Sequence, residues 1–249
     1  MSRFAGLRAA LLFLCLLVAA RAQGAPKPYR CPPCNAGCDA ATYDKPGACP
    51  RCGMPLAKDI PKVVILLFEG VQIIDFTGPY EMFGAAGFEV VTVAATRTPL
   101  RTTMGLEVVP AFTFQDAPAA EVLVIPGGAV GRAEQDAATL AFVKKASAES
   151  TLTLSVCNGA FILANTGLLD GLGATTTRGN VAPMARKYPK VKVVGDRRWV
   201  DNGKLITAAG LSAGLDGALH VIERLRGREV ALGVARAEEY TWSAGSPAR

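Results

Sequence analysis

Thr153-Leu-Ser-Val-Cys157-Asn-Gly-Ala160 decides the fold. An apolar, β-prone run from Thr151 to Val156 ends in one cysteine. Small residues follow at Gly159 and Ala160, and then an apolar, helix-like run, Phe161-Ile-Leu-Ala164. The pattern predicts a strand, a sharp turn and a helix, with a thiol at the turn. Such a turn aims its side chain out of the top of a sheet, beside the unpaired N–H groups of a helix start. Those groups and the helix dipole stabilise a thiolate. The arrangement is the cysteine counterpart of a nucleophile elbow. The competing reading is a buried cysteine in a core strand, the usual fate of a free thiol.

Working outward, Lys62-Val-Val-Ile-Leu-Leu-Phe68 is a continuous apolar run between Pro61 and Gly70, as a buried parallel strand requires. Asp75 and Thr77 precede Pro79, a good early-helix residue, so Asp75 is expected just before a helix at the carboxyl end of the first strand. As a helix cap alone it would be worth about 1 kcal/mol. Phe88 to Ala94 is a second strand, and Leu100 to Pro110 a small hairpin. Val122-Leu-Val-Ile125 ends in Pro126-Gly127-Gly128, where the backbone is free to approach a ligand and offer oxyanion donors. A plain tight turn is the alternative. Glu134 to Ala148 reads as an amphipathic helix. Beyond the elbow come a short strand at Ala174, a helix from Val181 to Tyr188, and strands at Val191, Trp199 and Leu205. Asp201-Asn-Gly203 is the hairpin turn between the last two. A helix from Gly210 carries His220, and another covers Arg228 to Glu238. This alternation predicts an α/β domain with a doubly wound parallel sheet over residues 61–238. Ligands bind off the carboxyl ends of such strands, where Asp75, Gly127, Gly128 and Cys157 all fall.

The chain has 249 residues, 50% hydrophobic and 19% charged, enough for one full domain and a small module. Its net charge of +6 forms no basic stripe interleaved with aromatics, so nucleic-acid binding is not expected. Arg3 and Arg8 precede an apolar run, Ala9 to Ala20, and Ala20-Arg21-Ala22 offers a cleavage site. Residues 1–22 are therefore read as a signal peptide of a periplasmic or secreted protein, with no membrane attachment after cleavage. Leu14 before Cys15 is not the small residue that a lipoprotein cysteine requires. Residues 23–28 form a stiff linker, and the tail over 239–249 is read as disordered.

Five of the seven cysteines lie between Cys31 and Cys52, in residues 29–58. Cys31-Pro-Pro-Cys34 and Cys49-Pro-Arg-Cys52 are two C-x-x-C pairs at the spacing of a tetrahedral metal ribbon. The segment is too poor in apolar residues to fold without a metal or disulfide staple. Cys31, Cys34, Cys49 and Cys52 are the expected ligands, and Cys38 is an ambiguous fifth. Two disulfides plus an odd thiol are the alternative. Tyr29-x-Cys-Pro and Pro46-Gly-x-Cys-Pro-x-Cys-Gly-Met54 resemble the heavy-metal-binding domain of bacterial efflux and periplasmic proteins. That domain often carries Met-His where this chain has Pro33-Cys34. The departure favours an all-sulfur site for zinc, copper(I) or another soft ion.

The large domain also resembles a family. Asp75-x-Thr-Gly-Pro79, Ile125-Pro-Gly-Gly128, Ser155-Val-Cys157-x-Gly-Ala160, Gly167-Leu-Leu-x-Gly171, Ala174-Thr-Thr176 and Leu205-Ile-Thr-x-x-Gly-x-Ser-Ala-Gly-x-Asp216 are similar to the ThiJ/PfpI superfamily, of the class I glutamine-amidotransferase-like fold. Isonitrile hydratases and the amidotransferase-like domains of AraC-type regulators are the branches most resembled. The resemblance implies a flavodoxin-like sandwich, a homodimer, Cys157 as nucleophile and Asp75 as its acidic partner. It implies no cofactor in this domain. Some branches place histidine directly after the elbow cysteine, where this chain has Asn158. Hydratases often have His-Trp after Ala-Thr-Thr, where it has Thr177-Arg178. The only histidine, His220, is read as structural, so peptidase and glutaminase activities are not expected.

The expected chemistry is attack by Cys157 on a small electrophile, Asp75 acting as acid and base, with amides at Gly127, Gly128 and Asn158 holding developing charge. Hydration of an isonitrile to an N-substituted formamide is the leading reaction. A glyoxalase-like activity on reactive carbonyls, and a periplasmic metal-binding or stress protein with a redox-sensitive Cys157, are the alternatives.

Overall fold

The computed structural model describes residues 29–32, 37–38, 41–242 and 245. The segments read as signal peptide and linker, and Cys34, fall outside the described residues. In chain order the elements are β1 (Tyr29–Arg30), β2 (Thr42–Tyr43), β3 (Lys62–Leu66), α1 (Ile73–Ala85), β4 (Glu89–Ala94), β5 (Leu100–Arg101), β6 (Glu107–Val108), β7 (Phe112–Thr113) and β8 (Val122–Ile125). They continue with α2 (Ala137–Glu149), β9 (Leu152–Val156), α3 (Gly159–Asn165), β10 (Gly173–Ala174), α4 (Val181–Lys187), β11 (Lys192–Val193), β12 (Trp199–Asp201), β13 (Leu205–Ala208), α5 (Ser212–Arg226) and α6 (Arg228–Ala237).

The main sheet runs β12-β13-β9-β8-β3-β4-β7. Every neighbouring pair is parallel except β12 with β13. That edge is antiparallel because the tight turn at Asn202-Gly203 leaves no room for a crossover. All residues of β8, β9 and β13 are buried. Helices cover both faces of the sheet, which is why these strands read as apolar runs rather than as alternating patterns. The chain leaves β3 for β4 on one side and returns to β8 on the other. The order reverses between β3 and β8, and a ligand crevice opens at such a point, off the carboxyl ends of the strands.

Three local expectations are corrected. Asp75 lies inside the first turn of α1 rather than before it, because the helix starts at Ile73, with Gln72 as its extended N-cap. The Gln72 N–H is already bound to the Gly127 carbonyl at 2.9 Å, which fixes that start to the β8 turn. Helix α2 begins at Ala137 rather than Glu134, because the Asp136 carboxylate caps it through the Thr139 N–H at 2.8 Å and hydroxyl at 2.7 Å. The tail read as disordered is packed as far as Trp242, which is buried; Tyr240 donates to Asp216 at 3.1 Å.

Candidate active site and metal cluster

Cys157 sits at the end of β9 with φ of +56°, a strained conformation for a residue with a Cβ. Its surroundings hold it there. The Cys157 N–H donates to the carbonyls of Ala208 and Ala209, both at 3.1 Å, and its own carbonyl accepts from the Thr176 hydroxyl at 2.8 Å. Gly159 follows because nothing larger fits. A Cβ there would stand 2.0 Å from the Ile125 carbonyl oxygen. Helix α3 can therefore start directly against the end of β8.

Asp75 reaches the same point from α1 and is fully buried. Its Oδ1 accepts the N–H of Leu211, 136 residues away, at 3.2 Å. Its Oδ2 has no partner of good hydrogen-bond geometry. The Cys157 thiol and the Gly127 N–H nevertheless lie close enough to favour the ionised carboxylate. A Cβ on Gly127 would fall 2.9 Å from this oxygen and 2.8 Å from the Cys157 Cβ, so the close approach depends on glycine. Burial raises the Asp75 carboxyl to about 6, held back by the thiol and by the Leu211 and Gly127 amides.

Burial, followed by the Asp75 charge, pushes the Cys157 thiol up to about 12, against the pull of the Asn158 N–H and the Thr177 hydroxyl. The thiolate expected at a helix start is thus overruled. Helix α3 has only 7 residues, and burial beside a carboxylate outweighs its amides. Both groups are raised, the thiol further than the carboxyl, so the proton of the pair rests on sulfur and Asp75 is the base that can take it.

The expected oxyanion donors divide. Gly127 directs its N–H at Asp75 and serves to position the acid. Gly128, at φ of +124°, bridges to Val71 and locks the β3–α1 loop. Asn158 offers its backbone N–H to the sulfur. Its side chain is a clasp, donating to the Gly128 carbonyl at 3.1 Å and accepting from Asn180 at 2.7 Å. His220 is engaged with Asp201 at 2.8 Å, Glu223 at 3.3 Å and the Trp199 ring, and with none of the groups around Cys157.

Sequence reasoning passed over Leu211, Thr176 and Asn180. Leu211 holds φ of +54° to aim its N–H at Asp75. Leucine has no preference for that conformation, so no local signal marks the position. An open depression of about 260 Å³ is lined by Thr177, Arg178, Arg198, Gly210, Leu211 and Ala213, and its Thr177 and Gly210 are the lining residues that adjoin the buried Cys157 sulfur.

In the N-terminal module the sulfurs of Cys31, Cys38, Cys49 and Cys52 all lie within 4.8 Å of one another. Cys31 and Cys52 are 3.3 Å apart, and Cys31 and Cys38 are 3.8 Å apart. A tetrahedron of zinc–sulfur bonds has edges of about 3.8 Å, so the set fits one soft ion. No disulfide joins these four. Burial opposes ionisation of Cys49, but the N–H groups of Arg51 and Cys52 and the Tyr43 hydroxyl outweigh it and lower the thiol to about 6. Cys38 thus stands in the cluster, and Cys34, the ligand read from spacing, lies outside the described residues.

The family model described as the DJ-1/PfpI family matches residues 61–224. Isonitrile hydratase from Pseudomonas putida is 35% identical over 195 residues, 75% of this chain and 83% of that protein. A ThiJ/PfpI family protein from Pseudomonas syringae superposes with a TM-score of 0.65 at 33% identity, covering 74% of this chain and 77% of the other. Drosophila melanogaster DJ-1beta shares the fold, with a TM-score of 0.66 at 20% identity over 74% of this chain and 100% of its own.

Proposed function

This chain belongs to the DJ-1/PfpI family, and from that premise we propose that it is a cysteine-dependent enzyme that hydrates isonitriles to N-substituted formamides. The observation that carries the reading is the buried Asp75 carboxylate set against the strained Cys157. Asp75 takes the thiol proton as sulfur bonds to the terminal isonitrile carbon, and returns it to that carbon, giving a thioimidate. Water then adds across the C=N bond, hydroxyl to carbon and proton to nitrogen. The C–S bond breaks, the hydroxyl proton returns to sulfur, and the formamide leaves. The Asn158 N–H steadies negative charge on sulfur in both halves. Purified protein incubated with cyclohexyl isocyanide is expected to yield N-cyclohexylformamide, followed by chromatography. An untouched isocyanide, beside a Cys157 that iodoacetamide alkylates, sinks the hydratase reading and keeps the nucleophile. A redox-sensor role is less well supported. Cys157 is 7% exposed with a raised pKa, whereas oxidation sensors use exposed, low-pKa thiols.

Export to a periplasmic or extracellular space belongs to this reading, supported by Arg3, Arg8 and the apolar run after them. So does a homodimer, the assembly that the family resemblance implies. The module would hold one zinc or copper(I) ion on Cys31, Cys38, Cys49 and Cys52, supported by the fit of their sulfurs to a tetrahedron. Bound there, the ion would staple a segment that lacks a core of its own. Metal analysis of the purified protein is expected to find one ion per chain. Cys38→Ser should weaken its binding at least about tenfold. A metal-free protein whose mass is lower by two hydrogen atoms for each pair of module cysteines would show disulfides instead.

A further inference from the structure

We propose that Arg178 makes the Cys157 cleft selective for electrophiles that carry a small negative group, a carboxylate above all, away from the reacting carbon. The proposal rests on Cys157 being the nucleophile. It starts from a tract with no slack. Thr176 donates to the Cys157 carbonyl at 2.8 Å, and Asn180 donates to the Asn158 side chain at 2.7 Å. Both ends of 176–180 are thereby tied to the elbow, and Arg178 opens the 3-10 turn between them. The Thr177 hydroxyl faces the sulfur. A Cβ on Gly210 would meet that hydroxyl oxygen at 2.8 Å and the sulfur at 3.6 Å, which places the wall of the depression against the reacting atom.

The charges at that wall do not cancel. Arg198 is bound through Nε and Nη2 to the buried Asp216 carboxylate, so that pair is neutral. Asp75 is buried and faces the thiol and the Leu211 amide. Arg178 is exposed, and among the described residues no carboxylate pairs with it. The amino end of the 15-residue α5 opens at the same wall, and its N-cap, Leu211, supplies no capping side chain. The Leu211 N–H at that helix start is already taken by Asp75, so the uncompensated guanidinium is what attracts an anion, and the planar fork of arginine matches a carboxylate.

The test uses two alkylating agents of nearly equal size, anionic iodoacetate and neutral iodoacetamide. In each, a C–S bond to Cys157 forms as iodide leaves and the thiol proton passes to base. Rates are read on the Cys157 peptide by mass spectrometry, in the full chain, so that the module cysteines do not interfere. Arg178→Ala is expected to lower the iodoacetate-to-iodoacetamide rate ratio by about threefold to tenfold, the anionic reagent losing more than the neutral one. Arg178→Lys should retain most of the ratio, Arg178→Glu should lower it further, and added salt should compress it in the wild type. With isocyanoacetate and its methyl ester, Arg178→Ala should raise KM for the acid more than for the ester. A ratio unchanged in both Ala and Glu variants overturns the proposal while the nucleophile stands. A Cys157 inert to both reagents overturns the nucleophile and this proposal together.

Discussion

Asp75→Asn is expected to slow the Cys157 reaction by about 10²- to 10⁴-fold while leaving the protein folded. Asparagine keeps the shape of the side chain and an oxygen for the Leu211 N–H, which Asp75 accepts at 3.2 Å. What it removes is the base. Wild-type alkylation by iodoacetamide should rise through about pH 6, where Asp75 ionises, and then stay level until the thiol itself titrates near 12. In the variant the rise should move to alkaline pH, because the proton then has to leave to solvent. Turnover of Cys157→Ala sets the floor, and the double variant should fall no lower than Cys157→Ala alone, since the two residues act as a unit. An unchanged pH profile in Asp75→Asn would remove the carboxylate from the mechanism.

The same substitution has a thermodynamic signature of opposite sense. Folding raises the Asp75 pKa from 3.8 to about 6, so the folded state binds this proton more tightly than the unfolded chain does. Its contribution to stability is complete below about pH 4 and is lost as the pH rises through about 6. Asparagine does not titrate. The stability of Asp75→Asn relative to wild type should therefore be more favourable at pH 8 than at pH 4, by about 2–3 kcal/mol in urea unfolding. A gap that does not change with pH would mean that Asp75 is not strained by burial. Losing activity while gaining stability at pH 8 is the mark of a group held for chemistry rather than for the fold.

The parts of this site that were legible in the sequence are those set by local chain geometry. A β-prone run, one cysteine, Gly159 and an apolar helix can form only a few local shapes, and the elbow is one of them. Asp75 was legible as a residue at a strand's carboxyl end, but its depth was not. Its burial comes from Leu211 and α5, which arrive 136 residues later. The reversal of charge preference at Cys157 is hidden for the same reason, since it depends on how much protein surrounds the sulfur and on Asp75 beside it. In the module, C-x-x-C spacing marks pairs whose amides can serve two sulfurs. It says nothing of Cys38, seven residues after Cys31, whose place in the cluster is decided in three dimensions. Arg178 is legible only as a departure from the residues that hydratases carry there. Its meaning depends on Arg198 being neutralised by Asp216 while Arg178 is not.

Gly159→Ala is expected to have the largest effect on the fold of any single methyl group added around the site. The new Cβ would lie 2.0 Å from the Ile125 carbonyl oxygen and 2.8 Å from both the Ile125 carbonyl carbon and the Pro126 oxygen. These are backbone atoms at the end of a central strand, with Ile125 in register with Ser155 of β9, so they cannot turn aside as a side chain would. Relief requires α3 to lift away from β8, which releases the +56° turn at Cys157 and the Asn158 clasp with it. A loss of at least about 3 kcal/mol is expected in urea unfolding, with iodoacetamide reactivity of Cys157 reverting to that of an ordinary thiol. Gly127→Ala, whose Cβ would lie 2.5 Å from the Asn158 nitrogen, should push Asp75 and Cys157 apart at the same point. Gly84→Ala supplies the contrast. It lies near the end of α1 with nothing within 4 Å of an added Cβ, and should be neutral or stabilising by about 0.5–1 kcal/mol. If Gly159→Ala proved as mild as Gly84→Ala, the close approach of α3 to β8 would not be what holds the nucleophile in place. The strained cysteine would then need another restraint, and the Thr176 and Ala208 hydrogen bonds are the remaining candidates.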